Sequence, residues 1–314
     1  MLERSLTYKP FKYPFAVQYA ELHEKMHWIE QEVDLADDVI QWNNGVLTYS
    51  EKNLICEIMK TFTQSDVEVS KGYLEYFIPT FKNNEIRMML MSFAAREGIH
   101  IRAYSLFTDT IGLPDETYRV FLEYEELKEK LESMTKMDMS NPKEIAKSIA
   151  RTVVSEGICL FGAFVMLLNF QRFGKMLGLS KITEWSLKDE DVHVEGMIKL
   201  FRIFLDEHKE IVDNDLKQGI YQMFRDAVEL EDKFIDLAFA MGDVEGLTRA
   251  EVKTYIRYMA DRRLIQLGLK SNYGVKDNNL KWLDWILSAD SVSNFFEQKV
   301  TEYSSVGMTG EWGW

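Results

Sequence analysis

Residues 88–107, MMLMSFAAREGIHIRAYSLF, decide the fold class, because their apolar positions recur with the period of an α-helix. Glu97 and His100 lie three residues apart in this stretch, so a helix presents the carboxylate and the imidazole on one face. Phe93 and Tyr104 make the surroundings of that face apolar. Burying an unpaired carboxylate there is energetically costly. The stretch therefore predicts a buried helix in which a positive group faces Glu97.

A second Glu-x-x-His pair, Glu190 and His193, lies in the helix predicted over residues 179–208. Asp66 and Glu156 are solitary acids on two further apolar helices. One carboxylate from each of two helices and a Glu-x-x-His pair from each of two others can bind two metal ions in a bundle core. Hard oxygen ligands with one imidazole per metal favour iron or manganese over zinc. These six residues therefore predict a dinuclear metal centre.

The helical period recurs along most of the chain, and no stretch alternates like a strand for more than a few residues. We therefore predict an all-α bundle in which several helices reach about 30 residues, longer than those of an ordinary globular domain. The predicted helices span roughly residues 50–78, 84–111, 115–133, 142–174, 179–208, 213–241, 248–269 and 278–287.

We predict one domain with an arm at each end, because no linker rich in glycine, serine or proline divides the chain. Residues 1–45 are predicted to be an irregular N-terminal arm, residues 46–289 the helical domain, and residues 290–314 a C-terminal tail. The tail ends in VGMTGEWGW, where glycines and two tryptophans are typical of a mobile peptide with aromatic anchors.

The composition excludes several classes of protein. Fifty-one acidic against 37 basic residues give a formal charge of −14, which argues against a nucleic-acid surface and an anionic membrane face. The longest apolar run, residues 157–170, is shorter than the ~20 residues of a membrane span. Cys56 and Cys159 form no disulfide framework. We therefore expect a cytoplasmic protein that binds neither nucleic acid nor membrane.

The remaining histidines and a pair of arginines are assigned no chemical role. His23, His27 and His208 belong to neither Glu-x-x-His pair, and we expect all three to face solvent. Arg262 and Arg263 are predicted to be structural.

Over nearly its whole length the sequence resembles the small, radical-generating subunit of class I ribonucleotide reductase. The segments that carry the resemblance follow one another in the family's order. They are WIEQEVDLADD (28–38), the span around Asp66, REGIHIRAY (96–104), SEGICLF (155–161), KDEDVH (188–193), YIRYMADRRL (255–264) and NFFEQKVTEYS (294–304).

The resemblance implies a ferritin-like helical bundle with additional long helices and a flexible tail that docks on a large subunit. It implies that the six predicted ligands hold two metal ions that an oxygen species oxidises. The resulting one-electron oxidant passes to the separate large subunit, which reduces ribonucleotides to deoxyribonucleotides for DNA replication. It also implies a homodimer.

Further roles follow from the resemblance, residue by residue. Tyr104, one turn beyond His100, occupies the position of the tyrosyl radical. Trp28, Asp189 and His100 fill the positions of a hydrogen-bonded relay from the surface to the metals. Tyr303 in the tail matches the tyrosine that bridges the two subunits.

The metal cannot be chosen from the ligand set, since four carboxylates and two imidazoles suit both iron and manganese. The chain also resembles a subgroup in which superoxide, or another oxidant delivered by an activating protein, oxidises a manganese pair while the nearby tyrosine stays reduced. Lys71, five residues after Asp66, is either an ammonium that attracts such an anion or an exposed lysine on a long helix. We lean towards two manganese ions, with Tyr104 dispensable.

Two other functions use a similar carboxylate site. A ferritin-like metal store needs neither the Trp–Asp–His relay nor a tail tyrosine, and a di-metal oxidase or oxygenase needs a substrate channel. Co-purification with a large nucleotide-binding chain separates the reductase from both.

Overall fold

The computed structural model describes residues 1–289, apart from the side chains of residues 63, 120–122, 126, 285 and 287–289. Within these residues it has no strand beyond a bridge between Val244 and Leu247, so the all-α prediction is confirmed. The helices are α1 Pro14–Lys25, α2 Ala36–Asn43, α3 Tyr49–Lys71, α4 Ile78–Thr80, α5 Asn84–Thr110, α6 Glu125–Thr135, α7 Pro142–Val154, α8 Phe161–Leu168, α9 Leu177–Glu207, α10 Asn214–Ala238, α11 Arg249–Gln266 and α12 Lys281–Ala289.

Residues Met1–Asp277 form one compact unit, and a second unit begins at Asn278. In the second unit the buried Asn278 side chain donates to the Leu280 carbonyl at 3.1 Å and to Asp284 Oδ1 at 2.8 Å, which organises the start of α12. The predicted tail, residues 290–314, lies outside the described residues.

The expectation of an irregular arm over residues 1–45 is wrong, because this segment contains α1 and α2. Helix α1 begins with Pro14, whose fixed φ suits the first helical position, and it buries Phe15, Ala20 and His23. Both helices are too short to show a sustained period in the sequence. Helices of this length are stabilised mainly by tertiary packing, here of α1 against α5 and α9.

Three of the predicted long helices are interrupted. A π-helical turn, Gly72–Phe77, continues α3, and a second π turn, Ser155–Cys159, separates α7 from α8. The helix predicted over residues 115–133 divides into a 3₁₀ segment, Asp115–Leu122, and α6. A π turn inside a helix re-aims the side chains that follow it and is frequent at functional sites.

The core is centred on α8, all of whose residues are buried. The continuous run Pro142–Phe173 is long and apolar enough to cross a membrane by length and composition, yet its most apolar window is buried entirely inside the protein. Burial on all sides is typical of a core helix.

The start of α9 is fixed from outside by α2. The buried Asp38 accepts hydrogen bonds from the backbone N–H of Gly178 at 3.0 Å and of Leu179 at 2.8 Å. Gln41 Oε1 accepts from the N–H of Met176, which has the left-handed φ of 48°. These bonds satisfy amides that would otherwise be unpaired at a helix N-terminus. The segment predicted to be irregular therefore positions the helix that carries Glu190 and His193.

Candidate metal centre

The structure brings all six predicted ligands together in the core. Asp66 lies on α3, the first Glu-x-x-His pair on α5, Glu156 on the π turn Ser155–Cys159, and the second pair on α9. Each of the six side chains is at most 1% exposed.

The six residues form two overlapping groups in which one ligand atom per residue lies within 4.8 Å of the others. The groups are Asp66, Glu97, His100 and Glu190, and Glu97, Glu156, Glu190 and His193. Glu97 and Glu190 belong to both groups, so each could help to hold either of two metal ions.

Both imidazoles point Nδ1 into the cluster. His100 Nδ1 lies 3.2 Å from Glu190 Oε1 and 3.4 Å from Glu97 Oε2. His193 Nδ1 lies 3.1 Å from Glu97 Oε1, 3.4 Å from Glu190 Oε2 and 3.8 Å from Glu156 Oε2. The Nε2 atoms point outward, to Asp189 from His100 and to His23 from His193.

The residues fit a pair of divalent ions. Among the described side chains, the inward-facing atoms lack hydrogen-bond partners of normal geometry: Asp66 Oδ2, both oxygens of Glu97 and Glu190, Glu156 Oε2, and Nδ1 of His100 and His193. Buried polar atoms are rarely left unsatisfied in folded proteins. Four carboxylates carry four negative charges, which two divalent cations neutralise.

Without metal, the cluster holds protons. Burial raises the pKa of Glu156 and of Asp66 well above the usual range of a carboxyl. Burial alone would lower the pKa of His193, but the nearby carboxylates of Glu190 and Glu97 raise it to about 10. Metal ions bind the deprotonated ligands, so their binding displaces these protons.

Asp189 lies between the cluster and Trp28. Its Oδ2 accepts a hydrogen bond from Trp28 Nε1 at 2.7 Å and lies 3.1 Å from His100 Nε2, while the indole stacks on the His100 ring at a centroid distance of 5.9 Å. Burial would raise the pKa of Asp189, but the hydrogen bond with His100 and the nearby charge of Arg96 hold it low. Asp189 is therefore an ionised acceptor between the indole and a predicted ligand.

Of the remaining predicted site residues, one is buried in the core, one is exposed, and one lies outside the described residues. Tyr104 is fully buried, and its ring contacts Phe62 at a centroid distance of 4.5 Å. Burial and the charge of Asp66 raise the pKa of Tyr104. Lys71 lies outside the cluster, and its exposed ammonium is 3.8 Å from Glu68 Oε2. It is therefore an exposed lysine on a long helix, not an ammonium at the edge of the site. Tyr303 lies outside the described residues.

The expectation that His23 faces solvent is wrong. His23 is 1% exposed, its Nε2 lies 3.1 Å from His193 Nε2, and its Nδ1 lies 3.0 Å from Ser92 Oγ. Burial lowers the pKa of His23 to about 4, so its ring is neutral. If His193 binds metal through Nδ1, its Nε2–H donates to His23, which then donates through Nδ1 to Ser92. His27 is exposed and His208 is half-buried.

Sequence reasoning missed two more residues around the cluster. Arg96 is buried, donates to the His23 carbonyl at 2.6 Å and places Nε 3.6 Å from Asp189 Oδ2. Tyr73 donates its hydroxyl proton to Glu156 Oε1 at 2.7 Å. The available signals were weak: Arg96 precedes Glu97, and Tyr73 follows Asp66 by seven residues, or two helical turns.

A family model and a known relative both match this chain, and both point to the same family. The family model for the small chain of ribonucleotide reductase matches residues 5–279. A probable ribonucleoside-diphosphate reductase small subunit of Invertebrate iridescent virus 3 is 40% identical over 98% of this chain and 86% of its own.

Two solved structures share the fold. The ribonucleotide reductase R2 subunit of Clostridium botulinum has a TM-score of 0.83 at 23% identity, covering 90% of each chain. The dimanganese(II) NrdF of Streptococcus sanguinis has a TM-score of 0.77 at 18% identity, covering 93% of this chain and 99% of that one.

We expect the purified protein to bind up to two metal ions per chain and Glu156→Ala to bind at most one. Removing Glu156 leaves one of the two groups without its only unshared carboxylate. Metal content by plasma mass spectrometry checks this, with Glu195→Ala on the exposed side of α9 as the control that retains both ions. Full retention of both metals by Glu156→Ala would contradict the site.

Proposed function

The chain belongs to the family of ribonucleotide reductase small chains, and from this we propose that its cluster holds the dinuclear metal cofactor of a class I reductase. It is an oxidoreductase subunit, the small subunit of a ribonucleoside-diphosphate reductase. The resemblance and the ferritin-like helical fold predicted from the sequence are confirmed. The family that matches is that of the reductase small chains, and it is neither of the two alternatives, a metal store or an oxygenase.

The observation that carries this proposal is the pair of overlapping ligand groups with Glu97 and Glu190 in common. Asp66 and His100 would complete the binding of one ion, and Glu156 and His193 that of the other. A bound metal pair, oxidised by an oxygen species, supplies a one-electron oxidant. The protein holds the ligands in a water-excluded core, where competing reactions with solvent are suppressed.

We propose that Trp28, Asp189 and His100 form the inner part of the relay to the large subunit and Tyr303 the outer part. An indole becomes a stronger acid when it is oxidised, so it needs a nearby base. Asp189 supports this role because it is ionised and accepts directly from Trp28 Nε1 at 2.7 Å. The same carboxylate orients the His100 ring through Nε2.

We expect Trp28→Phe, Asp189→Asn and Tyr303→Phe each to abolish nucleotide reduction in the presence of the matching large subunit, while two metal ions remain bound. Each change removes an oxidisable indole or phenol, or the charged proton acceptor, without removing a candidate metal ligand. Turnover and metal content are measured on the same samples, with Trp42→Phe on α2 as a control for replacing a tryptophan outside the relay.

Near-normal turnover in one variant would remove that residue from the relay. Nucleotide reduction by this chain without a large subunit would contradict the proposed partnership.

We propose manganese rather than iron in both positions, oxidised by superoxide or by another oxidant that an activating protein supplies, with Tyr104 kept reduced. The hard ligand set accepts manganese, and a neighbour of the same fold is described as dimanganese(II). Burial raises the pKa of Tyr104, and among the described residues its hydroxyl has no hydrogen-bond partner of normal geometry. A phenol without a proton acceptor is poorly placed for oxidation. The position of Lys71 adds no support, since its ammonium is exposed beside Glu68.

We expect Tyr104→Phe, loaded with manganese and treated with superoxide, to retain turnover and a coupled two-manganese paramagnetic resonance signal. The change removes only a hydroxyl, so a cofactor that acts directly is unaffected. Wild-type protein loaded with iron and exposed to dioxygen is the comparison. Loss of both turnover and an organic radical signal in the variant would return Tyr104 to the role of radical carrier.

We also propose a homodimer formed through α5. Met88 and Met91 on α5 are 44% and 48% exposed, and they border a surface groove of about 470 Å³ that Ala20 and His27 line from the α1 side. Exposed apolar side chains next to one another are typical of a protein interface.

We further propose that the protein works in the cytoplasm, which the two free cysteines support.

We expect the double variant Met88→Glu, Met91→Glu to sediment as a monomer of 36.8 kDa while the wild type sediments at twice that mass. Charged side chains cannot be buried in an apolar interface without a partner. Ile265→Glu, at an apolar position of α11 that is 59% exposed, is the control and should remain a dimer. A monomeric wild type would refute the homodimer.

A further inference from the structure

We propose that Tyr73 is a positioning residue that makes Glu156 a single-oxygen ligand of its metal ion; this inference rests on the metal site proposed above. The Tyr73 hydroxyl donates to Glu156 Oε1 at 2.7 Å. Tyr73 is 1% exposed and Glu156 0%, so water does not compete for this bond.

The two oxygens of Glu156 are therefore not equivalent. Oε1 accepts the phenol proton, whereas Oε2 has no hydrogen-bond partner among the described residues and lies 3.8 Å from His193 Nδ1. An oxygen that accepts a hydrogen bond is a weaker ligand for a cation than its free partner. Oε2 is thus presented to the metal, and binding through both oxygens is disfavoured. A carboxylate that occupies one coordination position leaves another available.

Two π turns place this pair. Tyr73 lies on the π turn Gly72–Phe77 and Glu156 on the π turn Ser155–Cys159. The Tyr73 ring is held by edge or tilted contacts with Phe77, Phe93 and His193 at centroid distances of 6.1, 6.0 and 6.2 Å. With the ring fixed on three sides, the hydroxyl can turn only about its C–O bond. The direction of the hydrogen bond is therefore set by packing.

The two ends of the cluster differ in whether a tyrosine hydroxyl donates to a carboxylate there. The tyrosine near Asp66 is Tyr104, whose hydroxyl makes no hydrogen bond of normal geometry within residues 1–289. Among the side chains that the structure describes, a phenol donates to a candidate ligand carboxylate only at the Glu156 end. Partners that hydrogen-bond to a metal ligand orient it, and their removal typically lowers metal affinity about 10- to 100-fold. Loss of the Tyr73 hydroxyl should therefore weaken one of the two metal positions and spare the other.

The experiment titrates the metal-free, full-length protein with Mn²⁺ alone and follows free Mn²⁺ by its six-line paramagnetic resonance signal. We expect two sites in the wild type. In Tyr73→Phe, one site should weaken about 10- to 100-fold and the other should change by less than about threefold. Tyr13→Phe is the matched control, because Tyr13 is also buried and donates to a carboxylate, Glu207 Oε1, at 2.5 Å outside the cluster. It should leave both sites unchanged.

A double variant tests whether Tyr73 acts through Glu156. In a Glu156→Asp background, which keeps a carboxylate at the site but draws it away from the Tyr73 hydroxyl, Tyr73→Phe should produce little further loss at the weakened site. Tyr73→Met also lacks the donor and repeats the comparison if the phenylalanine variant does not fold.

Unchanged or tighter binding of both ions in Tyr73→Phe would overturn the inference and leave the metal site standing, even if the variant unfolds at lower urea concentration. Additive losses in the double variant would also overturn it. A wild type that binds no Mn²⁺ would overturn the metal site, and the role of Tyr73 with it.

Discussion

Burying four carboxylates and two imidazoles among apolar helices costs a large free energy unless charge compensates charge. In the metal-free protein, raised carboxyl pKa values and a His193 with a pKa of about 10 provide part of that compensation. Two divalent cations would provide all of it. The long helices, the two π turns and the apolar core around α8 all hold these side chains at distances where such compensation is possible.

This constraint extends outward to residues that contact no metal. Asp189 and His23 lie within hydrogen-bond distance of the outward nitrogens of the two candidate ligand histidines, and Arg96 balances the charge of Asp189. Helix α2 in turn caps the start of α9 through Asp38. The first two helices therefore do more than cover the core, because they determine where the ligands of α9 lie and which ring nitrogen faces the cluster.

Different residues surround the two sides of the cluster. On the His100 side, an ionised Asp189 connects the site to Trp28, which lies against the half-buried Trp185 at a ring distance of 5.2 Å. On the opposite side, Tyr73 engages Glu156. In the proposed mechanism, the first side moves protons and electrons and the second holds a ligand still. This division of tasks fits a subunit that must store an oxidant and release it in one direction only.

The sequence by itself determined the all-α class, most helix positions and the six candidate ligands that the fold brings together, because helical period and Glu-x-x-His spacing are local properties. It did not reveal the two N-terminal helices, the buried His23 or the bond from Tyr73 to Glu156. Short helices take their stability from packing, and a π turn changes the face on which later residues lie. Residues that meet across 83 positions of chain, as Tyr73 and Glu156 do, are brought together by tertiary structure alone.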